Sequence, residues 1–327
     1  MSIGKEFLDT YSGYEINHNL NFISKLNNKY NNLVIGDIGD FITLQIRNKE
    51  NSLLFKIPKK PLPNTDIYNN HIERTKFDNL EKKYKEEFFP ILTKNMKEEM
   101  YYISNKFKDT SFYIKERIKT SSSIKDKIND RMKNNENTFI HDRYGYRYII
   151  LSVDGCKDEE ILKRKCFEIQ NAVLEFANTD NEFAIMNNEK DFINNPTKTG
   201  YQSIHIVKKH NKTEELLDEC QIRTTRMEDD CKHHPIISHR NYKKNSCISQ
   251  FSEQYVPEYK LYIPSFTDKE PLTRSLSMEE AFSNRFGISY SQYRKELELL
   301  ENPIKDIEKE FYGEILTFET NKEPIIR

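Results

Sequence analysis

Polar and apolar positions alternate most regularly between Tyr201 and Arg223. In Tyr201-Gln202-Ser203-Ile204-His205 and in Glu219-Cys220-Gln221-Ile222-Arg223, polar groups recur at every second position. Residues two apart share one face of a strand. Tyr201, Ser203 and His205 therefore line one face of their strand, and Glu219, Gln221 and Arg223 one face of theirs. Ile204, Ile206, Cys220 and Ile222 are left for the buried side. A face that carries an aromatic ring, a carboxylate and several hydrogen-bonding groups is suited to a polar ligand, so the pattern predicts an active-site surface.

The rest of the chain reads as helices and strands around this pair. Leu33-Val34-Ile35, Phe41 to Ile46 and Leu53 to Ile57 predict short strands, with turns at Asp37 to Asp40 and Asn48 to Asn51. Pro58-Lys59-Lys60-Pro61-Leu62-Pro63 predicts a stiff linker. Helical stripes follow from Thr75 to Phe107, first Phe77, Leu80 and Tyr84, then Ile91, Met96, Met100, Ile103 and Phe107. Pro90 lies between them as a kink or a break. Thr120 to Ser123 offer N-caps for a basic helix carrying Lys125, Lys127 and Arg131. A strand is predicted over Tyr144 to Val153, then a helix with Leu162, Cys166, Ile169, Val173 and Phe176 on one stripe. Near the end, Ser277-Met278-Glu279-Glu280 is a capping-box pattern whose helix Gly287 would end, and Ser289-Tyr290-Ser291-Gln292 opens another helix through Leu300. This order predicts an α/β (α+β) fold, a mixed, largely antiparallel sheet flanked by helices. Its boundaries divide the chain into an N-terminal extension (1–75), a central domain (76–250) and a mainly helical C-terminal extension (251–327).

Composition narrows the function classes. The 327 residues carry a formal net charge of -1, with 31% charged residues, so no global field draws in nucleic acid or membrane and any basic site must be local. Hydrophobic residues make up 36% and mean hydropathy is -0.83, which predicts a thin core with large solvated faces. No apolar run approaches the roughly 20 residues that a membrane span needs, and the N-terminus lacks the basic-then-apolar pattern of a signal peptide. Five cysteines without paired spacing fit a reducing compartment, so the expected location is cytoplasmic.

Nine glycines leave no room for a glycine-rich phosphate cradle, and neither G-x-x-x-x-G-K-[ST] nor G-x-G-x-x-G occurs. Phosphates would have to be held by side-chain cations. Arg117 and Lys119 stand just before the predicted helix start, Ser121 to Ser123 supply hydroxyls, and Lys125 and Lys127 follow on the first turns. A helix N-terminus attracts anions through its unpaired donors and its dipole; the plainer reading is a solvated basic helix start. Asp142 and Glu219 are candidate metal ligands, because Mg2+ commonly takes one or two protein carboxylates plus substrate phosphates. Taken singly, Asp142 reads as a turn residue and Glu219 as an exposed strand end.

Four motifs, in order, resemble the synthetase domain of the RelA/SpoT family, which includes the small alarmone synthetases. Arg117-Ile-Lys119-Thr-Ser-Ser-Ser123-Ile-Lys125-Asp-Lys127 is similar to R-x-K-x-x-x-S-I-x-x-K, and Asp142-Arg-Tyr-Gly145-Tyr-Arg147 to D-x-x-G-x-R. Asp191-Phe-Ile-Asn-Asn-Pro196-Thr-Lys198-Thr-Gly200-Tyr201-Gln202-Ser203-Ile-His205 is similar to D-Y-I-x-x-P-K-x-x-G-Y-x-S-x-H, and Glu219-Cys-Gln221-Ile-Arg223-Thr224 to E-x-Q-I-R-T. The resemblance spans roughly residues 76 to 245. It implies a nucleotidyltransferase-like core and a Mg2+-dependent pyrophosphokinase that moves the β,γ-pyrophosphate of ATP to the 3′-hydroxyl of GDP or GTP, making (p)ppGpp-type alarmones. Arg117, Lys119, Ser123, Lys125, Lys127 and Arg147 would then hold ATP. Asp142 would bind Mg2+, with Glu219 assisting the metal or taking the proton of the attacking hydroxyl. Tyr201 would stack on the acceptor base, with Lys198, Gln202, His205, Gln221 and Arg223 around the acceptor.

The alternatives are a toxin-type relative that pyrophosphorylates the 3′ end of tRNA or an adenosine nucleotide, and an inactive regulatory or DNA-binding protein that uses the C-terminal hairpin. Where the family often has M-x-x-x-A-E-x-G, this chain reads Met227-Glu-Asp-Asp-Cys231-Lys232-His233-His234-Pro235, before His239-Arg-Asn-Tyr242-Lys243, which resembles H-x-x-Y-K. Cys231, His233, His234, His239 and Cys247 lack the regular spacing of a zinc site. His141-Asp142 has no upstream histidine support beyond His71, so no hydrolase domain is expected. The segment from Ala281 to Arg294 has a helix-turn-helix cadence, but Glu296 and Glu298 beside Arg294 and Lys295 suit a docked helical hairpin better than a DNA groove. The terminal extensions are the expected places for a protein partner or self-association.

Overall fold

The computed structural model describes residues 20–47, 54–59, 71–133, 140, 142–179, 183–186, 190–211, 217–233, 256–265 and 270–312. The rest of the proline linker, the 48–51 turn, His141, His234, His239 to Lys243 and Cys247 lie outside the described residues.

Alternation between a buried face and a more polar one builds the main sheet. It contains β4 (Thr110–Ile118), β5 (Tyr144–Val153), β6 (Phe183–Ile185), β7 (Lys190–Asp191), β8 (Ile204–His210), β9 (Leu217–Thr224), β10 (Glu258–Ile263) and β11 (Leu272–Ser275). Their order is β11-β10-β4-β5-β9-β8-β6, with β7 also paired to β8. Only the β5–β9 pair is parallel, and the other pairings are antiparallel. The mixed, largely antiparallel sheet expected from the sequence is the one observed.

One face of this sheet is covered by helices. Tyr144, Tyr146, Tyr148 and Ile150 of β5, Ile204 and Ile206 of β8, and Cys220 and Ile222 of β9 point into the core. They pack against Leu92, Met96, Met100 and Ile103 of α3 (Phe89–Lys106) and against Leu162, Cys166, Ile169 and Val173 of α5 (Glu159–Thr179). The predicted stripe of α5 is thus its buried face. A charge also enters this core. The Lys208 ammonium donates to Glu99 Oε2 at 2.7 Å and to the Tyr146 hydroxyl at 2.6 Å, which supplies the partners a buried cation requires.

The helical stretch before β4 is α2 (His71–Lys83), one π-helical turn over Tyr84–Phe88, and then α3. Pro90 falls in the first turn of α3, directly after the π-helical turn, and the helix runs on through it. The sequence reading passed over β4. Lys115, Glu116 and Arg117 interrupt its alternation, yet Lys115 and Glu116 are both buried, so each face of the strand packs against protein. It also read residues 251–275 as the start of a helical extension, whereas β10 and β11 there complete the sheet beside β4. The edge strand β11 has only four residues, all exposed, so it carries little hydrophobic signal.

By its internal contacts the chain forms two units, one made of residues 65–244 and 252–287, the other of residues 1–64, 245–251 and 288–327. The second contains a helix over 20–29 (α1), the antiparallel sheet of β1 (Leu33–Ile38), β2 (Phe41–Ile46) and β3 (Phe55–Pro58), and α8 (Tyr290–Tyr312). The three N-terminal strands expected from the sequence are therefore present. α7 (Met278–Phe286) has its capping box, with Ser277 accepting from the Glu280 amide, and ends at Gly287 with φ 75°. Ser289 accepts from the Gln292 amide at 3.0 Å as α8 begins, and α8 runs past Leu300 through Pro303. The two helices of the expected hairpin belong to different units.

Candidate active site

Opposite the helices, the main sheet presents its polar residues in rows. Tyr259, Arg117, Gly145 and Glu219 stand side by side across β10, β4, β5 and β9. The next row is Lys115, Arg147, Gln221 and His205, across β4, β5, β9 and β8. Side chains of neighbouring strands in register lie about 5 Å apart, so these rows place the predicted donor and acceptor groups on one surface. A Cβ on Gly145 would lie 3.3 Å from the Glu219 carbonyl oxygen, so a side chain there would crowd the neighbouring strand.

The acceptor side is a closed ring of hydrogen bonds. The Tyr201 hydroxyl lies 2.7 Å from His205 Nε2, and His205 Nδ1 lies 3.2 Å from Glu219 Oε1. Gln221 Nε2 donates to Glu219 Oε2 at 2.9 Å, and Arg223 Nη2 donates to Gln221 Oε1 at 2.5 Å. Arg223 Nη2 also donates to the Tyr201 hydroxyl at 2.8 Å, which closes the ring. Strand β8 begins only at Ile204, so Tyr201 reaches its place from the preceding loop, where Gly200 has φ 86°. Gln202 donates to the Ile193 carbonyl at 3.1 Å and fixes that loop, while Lys198 is exposed on it.

The donor side is built around Asp142. Lys119 Nζ donates to its Oδ2 at 2.5 Å and Lys127 Nζ to its Oδ1 at 2.8 Å, with Arg117 Nη2 3.8 Å away. Burial alone would raise the Asp142 carboxyl, but Lys119, Arg117 and Lys127 outweigh it and hold it well below the usual carboxylate range. Thr120 caps α4 (Ser121–Lys133) by accepting from the Ser123 amide at 3.2 Å, which places Ser123 in the first turn. Lys125 lies elsewhere, with its ammonium 4.9 Å from the Phe77 ring centroid.

Glu219 is likewise kept ionised. Burial raises its carboxyl, but the His205 hydrogen bond and charge, with Arg117, bring it down to about 2. Asp142 and Glu219 are thus the two ionised carboxylates that could ligate a hard cation such as Mg2+; among the described residues no group of three or more His, Cys, Asp or Glu is gathered to hold a metal ion.

Residues 116–247 match a family model described as "Region found in RelA / SpoT proteins". Residues 116–247 are thus a RelA/SpoT-type region. Among solved structures it is similar to small alarmone synthetase 2 from Bacillus subtilis, at 22% identity over 45% of this chain and 75% of that one, with a TM-score of 0.32. It is also similar to small alarmone synthetase 1 from the same organism, bound to its product pppGpp, at 19% identity over 52% and 84% with a TM-score of 0.34. A GTP pyrophosphokinase family protein from Streptococcus pneumoniae matches at 20% identity over 44% and 71%, with a TM-score of 0.31. No curated protein matches the chain.

The RelA/SpoT-type region of this chain holds a second charged cluster that the motifs did not reveal. Glu228, on α6 (Thr225–His233), is 2% exposed and accepts from Lys115 at 2.8 Å and from Arg223 Nη1 at 3.3 Å, with Arg147 Nη1 at 3.5 Å. Arg147 in turn donates to Gln221 at 2.9 Å, so Glu228 anchors two cations that brace the acceptor ring. Lys115 was legible in principle, being two residues before Arg117 on the same strand face. Glu228 gave no such signal, because its partners come from three other strands. Removing one member of a buried ion cluster leaves the others unpaired and costs about 3–5 kcal/mol. We therefore expect Glu228→Ala to lower unfolding free energy by about that amount in urea titration; a loss below about 1 kcal/mol would show that solvent already screens the cluster.

Proposed function

We propose that this chain is a pyrophosphokinase whose donor is ATP and whose acceptor is a guanosine nucleotide. The observation that carries the reading is one sheet face on which Arg117, Glu219, Arg147, Gln221 and His205 stand in register, with the cation-gripped Asp142 just before β5 and the Tyr201 ring just before β8. In the reaction the acceptor 3′-hydroxyl oxygen bonds to the β-phosphorus of ATP, the bond from that phosphorus to the α,β-bridging oxygen breaks, and AMP leaves.

Such transfers depend on alignment and charge neutralisation. Arg117, Lys119, Lys127 and Arg147 would bind the triphosphate, with Ser123 at the helix start offering a further donor. Lys125 rests on the Phe77 ring and would have to swing away from it to join them. Asp142 and Glu219 would hold Mg2+, which supplies charge neutralisation on the transferred phosphates when bound. A carboxylate at about 2 is a weak proton acceptor, and that favours Glu219 as an anionic ligand. In the loose transition state the attacking oxygen is little bonded, so its proton leaves late and a weak base suffices. His205, between Glu219 and Tyr201, orients both.

Tyr201 would stack on the acceptor base, with Lys198, Gln202, Gln221 and Arg223 around the nucleotide. Base stacking on an aromatic side chain is worth about 1–3 kcal/mol. Tyr201→Ala should therefore raise the acceptor KM about tenfold or more, with ATP affinity unchanged. Tyr201→Phe keeps the ring but strips the hydroxyl from Arg223 and His205, so its defect should fall on kcat. An unaltered acceptor KM in a folded Tyr201→Ala chain would remove the stacking role.

The reading is tested by incubating the chain with γ-labelled ATP and, separately, GDP, GTP, adenosine nucleotides and tRNA. Label is expected on GDP or GTP, with shallow salt dependence. A tRNA acceptor would lose affinity steeply with salt as counterions are released, and labelling of tRNA without GDP or GTP would overturn the proposal.

A further inference from the structure

The matched region ends at residue 247, yet a later segment reaches the charged cluster around Glu228. The buried Lys115 ammonium donates to Glu228 Oε1 at 2.8 Å and to Asn284 Oδ1 of α7 at 2.7 Å, with the Tyr259 ring of β10 centred 4.8 Å away. Of these three groups, Asn284 and Tyr259 come from beyond residue 247. Asn284 is aimed by its own helix. Its Nδ2 donates to the Glu280 carbonyl at 2.8 Å, which leaves Oδ1 for Lys115. The end of α7 is also seated on α6, the helix that carries Glu228, since a Cβ on Gly287 would lie 2.7 Å from the Lys232 carbonyl oxygen. Lys115 is thereby gripped between two helices that pack on each other.

We propose that Asn284 is a positioning residue for the acceptor nucleotide, acting through Lys115 and Glu228. This rests on the acceptor being held by the ring that joins Tyr201 to Arg223. The two oxygens of Glu228 have separate partners. Oε1 takes Lys115, whereas Oε2 faces Arg223 Nη1 at 3.3 Å and Arg147 Nη1 at 3.5 Å. Lys232 stands farther from Oε1, at 3.8 Å. Holding one oxygen of a carboxylate fixes the direction of the other, so the hold on Lys115 keeps Oε2 facing the arginines. Arg223 can then present Nη2 to the Tyr201 hydroxyl and to Gln221. Without Asn284 the buried ammonium loses an acceptor and must turn to Glu228 to replace it. That turn draws Oε2 out of line with Arg223 and loosens the ring at Tyr201. The donor side keeps its own carboxylate, because Lys119, Lys127 and Arg117 rest on Asp142. Of the residues assigned to ATP, Arg147 touches Glu228, so ATP binding should change less than acceptor binding.

The test is transfer from γ-labelled ATP to GDP or GTP by the full chain, for wild type, Asn284→Leu, Asn284→Asp and Tyr201→Ala. Both Asn284 variants lose the bond to the Glu280 carbonyl, but Asn284→Asp keeps an oxygen for Lys115. Loss of that acceptor should raise the nucleotide-acceptor KM of Asn284→Leu about three- to tenfold, with the ATP KM within twofold of wild type. Asn284→Asp should recover most of the loss. In wild type, GDP should also slow amide hydrogen exchange across 278–287, because the ring it occupies is tied to α7. An acceptor KM within twofold of wild type in Asn284→Leu, while Tyr201→Ala raises it, would overturn the inference and leave the acceptor reading standing. So would an equal rise in both KM values, or an Asn284→Asp chain as impaired as Asn284→Leu, since either means that Asn284 only supports the fold. Unchanged exchange across 278–287 on GDP binding would overturn it equally, even where Asn284→Leu does not fold. A wild-type chain that labels neither GDP nor GTP would remove the acceptor reading and the inference with it.

Discussion

Glu219→Gln is expected to leave a folded chain whose transfer rate falls about a thousandfold or more. The glutamine keeps the length and shape of the side chain, so the bonds to His205 and Gln221 can still form in one orientation of its amide. What disappears is a negative charge that the site holds ionised against burial. Each factor of ten in rate is 1.36 kcal/mol, so a thousandfold is about 4 kcal/mol, within reach of one charge acting in a partly buried site. Single-turnover rates with saturating ATP and acceptor measure it directly. Turnover within tenfold of wild type, with an unaltered melting curve, would take Glu219 out of the mechanism.

Asp142→Asn should produce an opposite pair of effects. Without bound substrate, Lys119, Lys127 and Arg117 rest on this carboxylate, so phosphates must draw them away from it. Removing the charge should tighten metal-free ATP binding, measured with chelator present, by about tenfold. Metal-supported transfer should fall by at least about a hundredfold, because a ligand for Mg2+ has gone. Weaker metal-free binding in the variant would show that Asp142 does not compete for those cations.

The same carboxylate gives a pH test with a definite sign. Its folded pKa is depressed, so its contribution to stability is present above the unfolded value of about 3.9 and is lost as pH falls towards the folded value. Wild type should therefore exceed Asp142→Asn in stability at neutral pH, and the two should converge on strong acidification. A constant gap down to pH 2 would mean that the charge contributes nothing.

Much of the domain could be read from local pattern. The four-three stepping of Leu162, Cys166, Ile169 and Val173 marked a buried helix face, and the alternation over Ile204, Ile206, Cys220 and Ile222 marked the core side of two strands. The same alternation put His205, Glu219, Gln221 and Arg223 on the opposite face, where they now bond to one another. Strand β4 was missed because Lys115, Glu116 and Arg117 follow one another in it, and the buried Glu116 puts a charge where the apolar period expects a hydrophobic residue. Glu228 was missed because a carboxylate on a short acidic helix looks solvated until Lys115 and Arg223 are brought to it from other strands.

The sequence by itself therefore determined the elements with a regular period, the caps at Ser277 and Gly287, and the types of side chain facing away from the core. Those features are set by neighbours a few residues away, through backbone geometry and burial of one face. Only the tertiary structure decided that Lys119 and Lys127 would sit on Asp142, that the Tyr201 hydroxyl would join Arg223 to His205, and that β10 and α7 would bring Tyr259 and Asn284 to the same sheet face. Charge interactions reach across strands that are distant in sequence, and their sign and strength depend on burial, which exists only once the sheet has formed.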